Sequence, residues 1–174
     1  MQTEIKRMNM WVFIGLLFFA GALVYILGIL GFIAILVISI VFHYRMWSAV
    51  YDEHVKVSPV LAVVLLHIPG VNAFWAFWFY PGFAKYYNEF VKRYDLVVTP
   101  TKKLLYYIFP VIIFAYTLSG ILPFFLRFDR TLEDINNTIF LITILMFFVV
   151  VVRTCTAVNA LADVVGEKKT EVDS

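Results

Sequence analysis

The sequence predicts an all-α integral membrane protein with four transmembrane helices, a re-entrant helical pair and a cytoplasmic interfacial amphipathic helix. Residues 8–44, 57–84, 104–126 and 135–152 contain no Asp, Glu, Lys or Arg. A water-soluble domain of 174 residues has no interior able to hide four such runs, so lipid must solvate most of the chain. Composition agrees: 63% of residues are hydrophobic and only 15% charged, against roughly 25% charged in soluble domains. The third observation is a one-sided distribution of cations, described below.

The pair Lys6-Arg7 precedes the first run, and Ala20-Gly21-Ala22 gives it the outline of a signal peptide. The apolar stretch continues well past that point, however, whereas a signal h-region spans roughly 7–15 residues. It therefore reads as a retained anchor. A single helix over 8–44 would be about 55 Å long against a hydrocarbon core of roughly 30 Å. A hairpin turning at Gly28-Ile29-Leu30-Gly31 fits better and gives spans over 8–27 and 29–47.

Residues 57–84 are apolar but punctuated by Pro59, Pro69-Gly70, Asn72 and Pro81-Gly82. Proline removes a backbone donor and clashes with the preceding turn, so the stretch divides into short legs. A re-entrant pair over 59–81 follows, dipping into the bilayer and returning to the same side. Over 82–95, Phe83, Tyr86, Tyr87, Phe90, Val91 and Tyr94 recur at helical spacing, with Lys85, Asn88, Glu89, Lys92 and Arg93 between them. This pattern predicts the amphipathic helix. Two more spans follow, over 103–126 with a kink at Pro110 and over 137–162, and a polar tail occupies 163–174.

With both termini cytoplasmic, twelve of the fourteen Lys and Arg residues face the cytoplasm, and only Arg127 and Arg130 lie on the far side. That is the bias the positive-inside rule demands. Eleven of the fourteen Trp and Tyr residues lie between Tyr44 and Tyr107, so the aromatic belt is also weighted to one face. Net charge is only +2, which argues against a nucleic-acid partner. The single cysteine, Cys155, excludes an intrachain disulfide.

The run Tyr44-Arg45-Met46-Trp47, Ser58-Pro59, Ile68-Pro69-Gly70-Val71-Asn72, Trp75-Ala76-Phe77 and Gly82-Phe83-Ala84-Lys85 with Asn88 resembles a family of small polytopic bacterial membrane proteins. The resemblance spans residues 44–93 and departs from the family pattern at Val60-Leu61 and Val71. It implies a multi-pass protein of the bacterial inner membrane and implies no activity.

Candidate functional residues fall into five groups. Trp47, Trp75, Trp78, Tyr86, Tyr87, Lys92 and Arg93 form a candidate surface for a partner protein or lipid. Asn72, at the tip of the dip, is the pore candidate. Arg153, Asn159 and Asp163 form a polar track on the last span, where an arginine contacts an anion or snorkels to the headgroups. Asp52, Glu53 and His54 form a polar cluster in the first loop, but without the converging groups that catalysis requires. His43, His54 and His67 lack the companion spacing of a haem or metal motif.

The sequence thus points to a non-enzymatic accessory, scaffolding or assembly protein, with no cofactor, metal or catalytic residue assigned. Its expected partners are membrane lipid and either another membrane protein or further copies of itself. Two alternatives remain open: a small oligomeric channel or transporter built around the re-entrant segment, and a lipid-modifying enzyme using the Asp52–His54 loop.

Overall fold

The computed structural model describes residues 5–121 and 130–173. Among the described residues there are six helices and no strand: α1 Met10–Leu27, α2 Ile29–Ser48, α3 Pro59–His67, α4 Val71–Arg93, α5 Lys103–Ile121 and α6 Arg130–Asp173. Three are long and apolar enough to cross a membrane, namely α2, α5 and the Leu132–Glu167 part of α6. In α1 the apolar stretch is the shorter Met10–Val24.

Asn9 starts α1, its side chain accepting from the Val12 amide. Gly28 alone joins α1 to α2, and its φ of 55° lies in the region that side chains disfavour. A Cβ on Gly31 would run into the backbone of Leu23 and Val24, so the two helices touch there without side chains between them. Phe13 packs edge-on against Phe42, ring centroids 5.4 Å apart, at the other end of the same antiparallel register.

Ser58 caps α3 by accepting from Leu61, and Pro59 occupies the first turn, where its missing N–H costs nothing. The Ile68-Pro69-Gly70 turn, with Gly70 at φ 82°, reverses the chain into α4. Here the structure corrects the sequence reading. The second leg of the dip and the amphipathic helix are one continuous helix, because α4 runs through Pro81. Pro81 is buried, and Gly82 lets the Trp47 ring approach to 3.1 Å of where a Cβ would stand, so packing holds the helix through its missing hydrogen bond. α4 ends in a Schellman motif: the Leu96 amide donates to the Val91 carbonyl and that of Asp95 to Lys92, with Asp95 left-handed.

α5 runs antiparallel to α4, pairing Phe83 with Tyr106, Tyr80 with Phe109 and Phe74 with Phe114. α6 runs antiparallel to α5, from the Tyr116–Phe140 contact to the Tyr106–Thr154 hydrogen bond. The expected third span ended at 126, and its residues 122–126, together with Arg127, lie outside the described residues. The expected polar tail at 163–174 is helical as far as Asp173. At 44 residues, α6 is roughly 66 Å long and exceeds any hydrocarbon core.

The core is concentrated at one end of the bundle. Trp47, Phe79, Phe83, Tyr87, Phe90, Tyr106 and Phe109 are almost completely buried there, together with Val50, Val55 and Val158. Toward the Gly28 turn the helices expose their apolar side chains, Ile26, Ile29 and Phe32 among them. In water that surface would be untenable, and in a bilayer it is the expected lipid-facing wall.

Candidate functional site at the clasped end of the bundle

Five segments meet where α2 ends: the residues before α1, the 49–58 loop, the start of α3, the end of α4 and the start of α5. Each is fastened by a side chain reaching across a large sequence separation. Asn159 of α6 accepts from the Met8 amide at 2.7 Å and donates to the Met8 carbonyl at 2.9 Å. Asn88 of α4 does the same to Thr101, accepting from its amide at 2.8 Å and donating to its carbonyl at 3.1 Å. A carboxamide carries an acceptor oxygen and a donor nitrogen side by side, so it meets both backbone groups of a single residue at once. Arg7 pairs with Asp163, and Arg93 pairs with Asp52.

The Trp47 indole donates to the Val57 carbonyl at 3.1 Å, and that of Trp75 to the Ala62 carbonyl at 2.9 Å. Trp47 also stacks on Phe79 at 5.0 Å and touches Trp78, which stacks on Trp75 at 4.6 Å. The Tyr87 hydroxyl donates to the Ala157 carbonyl at 3.3 Å, and burial pushes its phenol up to about 12 from the ordinary 10.0.

A polar chain, buried at His43 and Tyr80 and half-buried at Ser39 and His67, links α2, α3 and α4 beneath this layer. The Tyr80 hydroxyl bonds His43 Nε2 at 2.8 Å, and the Ser39 hydroxyl bonds His67 Nε2 at 3.0 Å. His43 Nδ1 meets the Ser39 carbonyl at 2.7 Å and His67 Nδ1 the Val63 carbonyl at 2.8 Å. A carbonyl only accepts, so each Nδ1 carries the proton; in a neutral ring each Nε2 then accepts from its hydroxyl. The chain is fully satisfied, as a polar group at this depth must be. Both Nε2 atoms, the ones a metal or haem would take, are occupied by hydroxyls.

The residues expected to form a contact surface therefore divide. Trp47 and Tyr87 are wholly buried and belong to the packing of the bundle, not to its surface. Trp75, Trp78 and Tyr86 are half-buried, with one edge turned outward, and Lys92 is exposed. Arg93 is occupied by Asp52. Asn72 is the second residue of α4, half-buried, its amide donating to the Ile68 carbonyl at 3.0 Å.

The polar track on α6 also divides, because Asn159 and Asp163 fasten the N-terminal segment while Arg153 points to a different groove. In the Asp52–His54 loop, Asp52 also accepts from the His54 amide at 2.9 Å, so its carboxylate pins the loop to α4. His54 Nδ1 lies 3.7 Å from Asp52 and 3.9 Å from Glu53, and among the described residues no group of three His, Cys, Asp or Glu side chains has the arrangement to hold a metal ion.

The asparagine clasps and the histidine chain escaped sequence reasoning. Asn88 stood within the quoted family pattern without a role, and nothing in the sequence pairs Asn159 with a residue 151 positions away. Comparison with family models, curated proteins and solved structures gives no match to this chain.

Proposed function

We propose that this chain is a multi-pass protein of the bacterial inner membrane with both termini cytoplasmic. It spans four times, through α1, α2, α5 and α6, and α3–α4 form a re-entrant pair. Its role is non-enzymatic: an accessory or scaffolding subunit that holds a rigid cytoplasmic rim against lipid or a partner membrane protein.

Several contacts support the topology. The start of α3 lies by Trp47 through Val57, and the end of α4 is tied to the same loop through Asp52. Phe74, one turn from the tip of the pair, meets Phe114, eleven residues into α5. At 1.5 Å per residue the tip then lies roughly 22 Å along α5, short of a hydrocarbon core of roughly 30 Å. A segment that enters and leaves beside the same helix end, and stops short of the far side, fits a re-entrant pair.

The observation that carries the functional reading is the clasped end itself. Two carboxamide clasps, two ion pairs and two indole hydrogen bonds fasten the segments that meet at one end of a bundle whose other end exposes its apolar side chains. Ordering so many groups costs conformational entropy that a simple anchor need not spend. A surface kept in one shape is what a docking scaffold requires.

Site-specific photo-crosslinking in living cells tests this. A crosslinker at Lys92 or Tyr86 should give a discrete adduct, with a protein or a lipid, that a crosslinker at Ile33 on the lipid-facing wall does not. Diffuse or absent products at both rim positions would overturn the reading.

A further inference from the structure

Three cations at the clasped end are engaged with acids: Arg7 with Asp163, Arg93 with Asp52, Lys85 with Glu89. Lys102 and Arg153 are not, and they share one groove. Both are exposed, neither has an acidic partner among the described residues, and both line one cavity of about 520 Å³ between the start of α5 and α6. That volume lies within the roughly 300–1,000 Å³ of small-molecule sites.

The cavity is polar at one end and apolar at the other. Thr156 and Thr101 stand with the two cations, Leu104 lies between Lys102 and the level of Arg153, and Ile108 and Val149 form the outer walls farther along the helices. Those walls are open to the surroundings, Ile108 being 41% and Val149 44% exposed. The Tyr106–Thr154 hydrogen bond sets Arg153 about one turn below the start of α5, where the apolar run of α6 gives way to polar residues. In a bilayer that is the level of the phosphates.

From this geometry we infer that the groove between α5 and α6 binds an anionic phospholipid of the bilayer. Arg153 and Lys102 hold its phosphodiester, Thr156 donates to the headgroup, and an acyl chain lies along Leu104, Ile108 and Val149. Charge complementarity selects the occupant, since an apolar trough ending in two unpaired cations matches an anionic amphiphile. An arginine offers the fork that a phosphate accepts from two nitrogens at once. The inference rests on the proposed membrane topology and names a ligand for it, and it makes no use of the rim residues Tyr86 and Lys92.

The test is native mass spectrometry of the full chain released from nanodiscs containing equal amounts of phosphatidylglycerol and phosphatidylcholine. Phosphatidylglycerol should be retained in preference, and Arg153→Gln with Lys102→Gln should reduce that preference by about fivefold per cation removed. Arg153→Lys should keep most of it. The charge-matched pair Lys56→Gln with Lys85→Gln should leave it unchanged. A melting curve for each variant separates lost binding from lost folding.

Equal retention of the two lipids, or an unchanged preference in the Lys102/Arg153 double variant, would overturn the inference. So would stabilisation of the purified chain by inorganic phosphate to the same extent as by phosphatidylglycerol, since that would make the site one for a small anion. None of these outcomes bears on crosslinking at Lys92 or Tyr86, so the scaffold reading and the lipid site can fail separately.

Discussion

Trp47 illustrates how residue identity and residue role come apart. In sequence it is an interfacial tryptophan two residues after Arg45, a natural contact residue. In the fold its ring is completely buried against Phe79 and Trp78, faces Gly82 and donates to Val57. Trp47→Ala should therefore destabilise the protein by about 3–5 kcal/mol, as removal of a large buried ring does, read as a lowered unfolding midpoint in detergent. The clasp at Asn88 should be worth less: Asn88→Ala leaves the Thr101 amide and carbonyl without their partner, at about 1–3 kcal/mol.

Tyr87 adds a pH dependence at the same scale. Its folded pKa is raised, to about 12 from 10.0, so its contribution is intact below pH 10 and is lost as pH climbs toward 12. Tyr87→Phe should flatten the alkaline limb of a stability-against-pH curve over that window, and an unchanged limb would contradict the assignment.

At the scale of elements, the α1–α2 hairpin depends on one glycine for its turn, Gly28, and on another for close contact, Gly31. A Cβ at Gly31 meets the backbone of α1, which has no side chain to move aside, whereas one at Gly15 meets open space. Gly31→Ala should consequently lower the melting temperature strongly and Gly15→Ala should not, a contrast that a thermal scan of the two variants checks. The continuity of α4 through Pro81 follows the same logic. Local propensity at Pro81-Gly82 favours a break, but the burial of Pro81 and the contacts of Gly82 with Trp47 of α2 and of Phe83 with Tyr106 of α5 exist only if the helix continues. Local rules are weak priors, and packing of this density overrides them.

The whole molecule is asymmetric. One end is locked by long-range polar contacts and a buried aromatic core, and the other is a set of apolar helices facing outward. This asymmetry coincides with the cation bias read from the sequence, two independent signs that the ends face different environments. In a Cys155→Ser background, a cysteine at Val97, which is 92% exposed, should resist membrane-impermeant thiol reagents in intact cells. It should react once the cells are opened. Ready labelling from outside would place the clasped end on the other side and overturn the proposed orientation.

The absence of charge over long runs was enough to predict an all-helical chain with helices long and apolar enough to cross a membrane, and the start of α5; the positions of α1, α2 and α3 followed from glycine and proline. These are local or additive properties: transfer of each side chain from water and the backbone angles each residue allows do not depend on distant neighbours. Which aromatics are core and which remain at the surface, which of Arg153, Asn159 and Asp163 is free, and that His43 and His67 share Ser39 were settled only by tertiary contacts. Those depend on which distant segments meet, and a hydrogen bond between residues 151 positions apart leaves no periodicity to read.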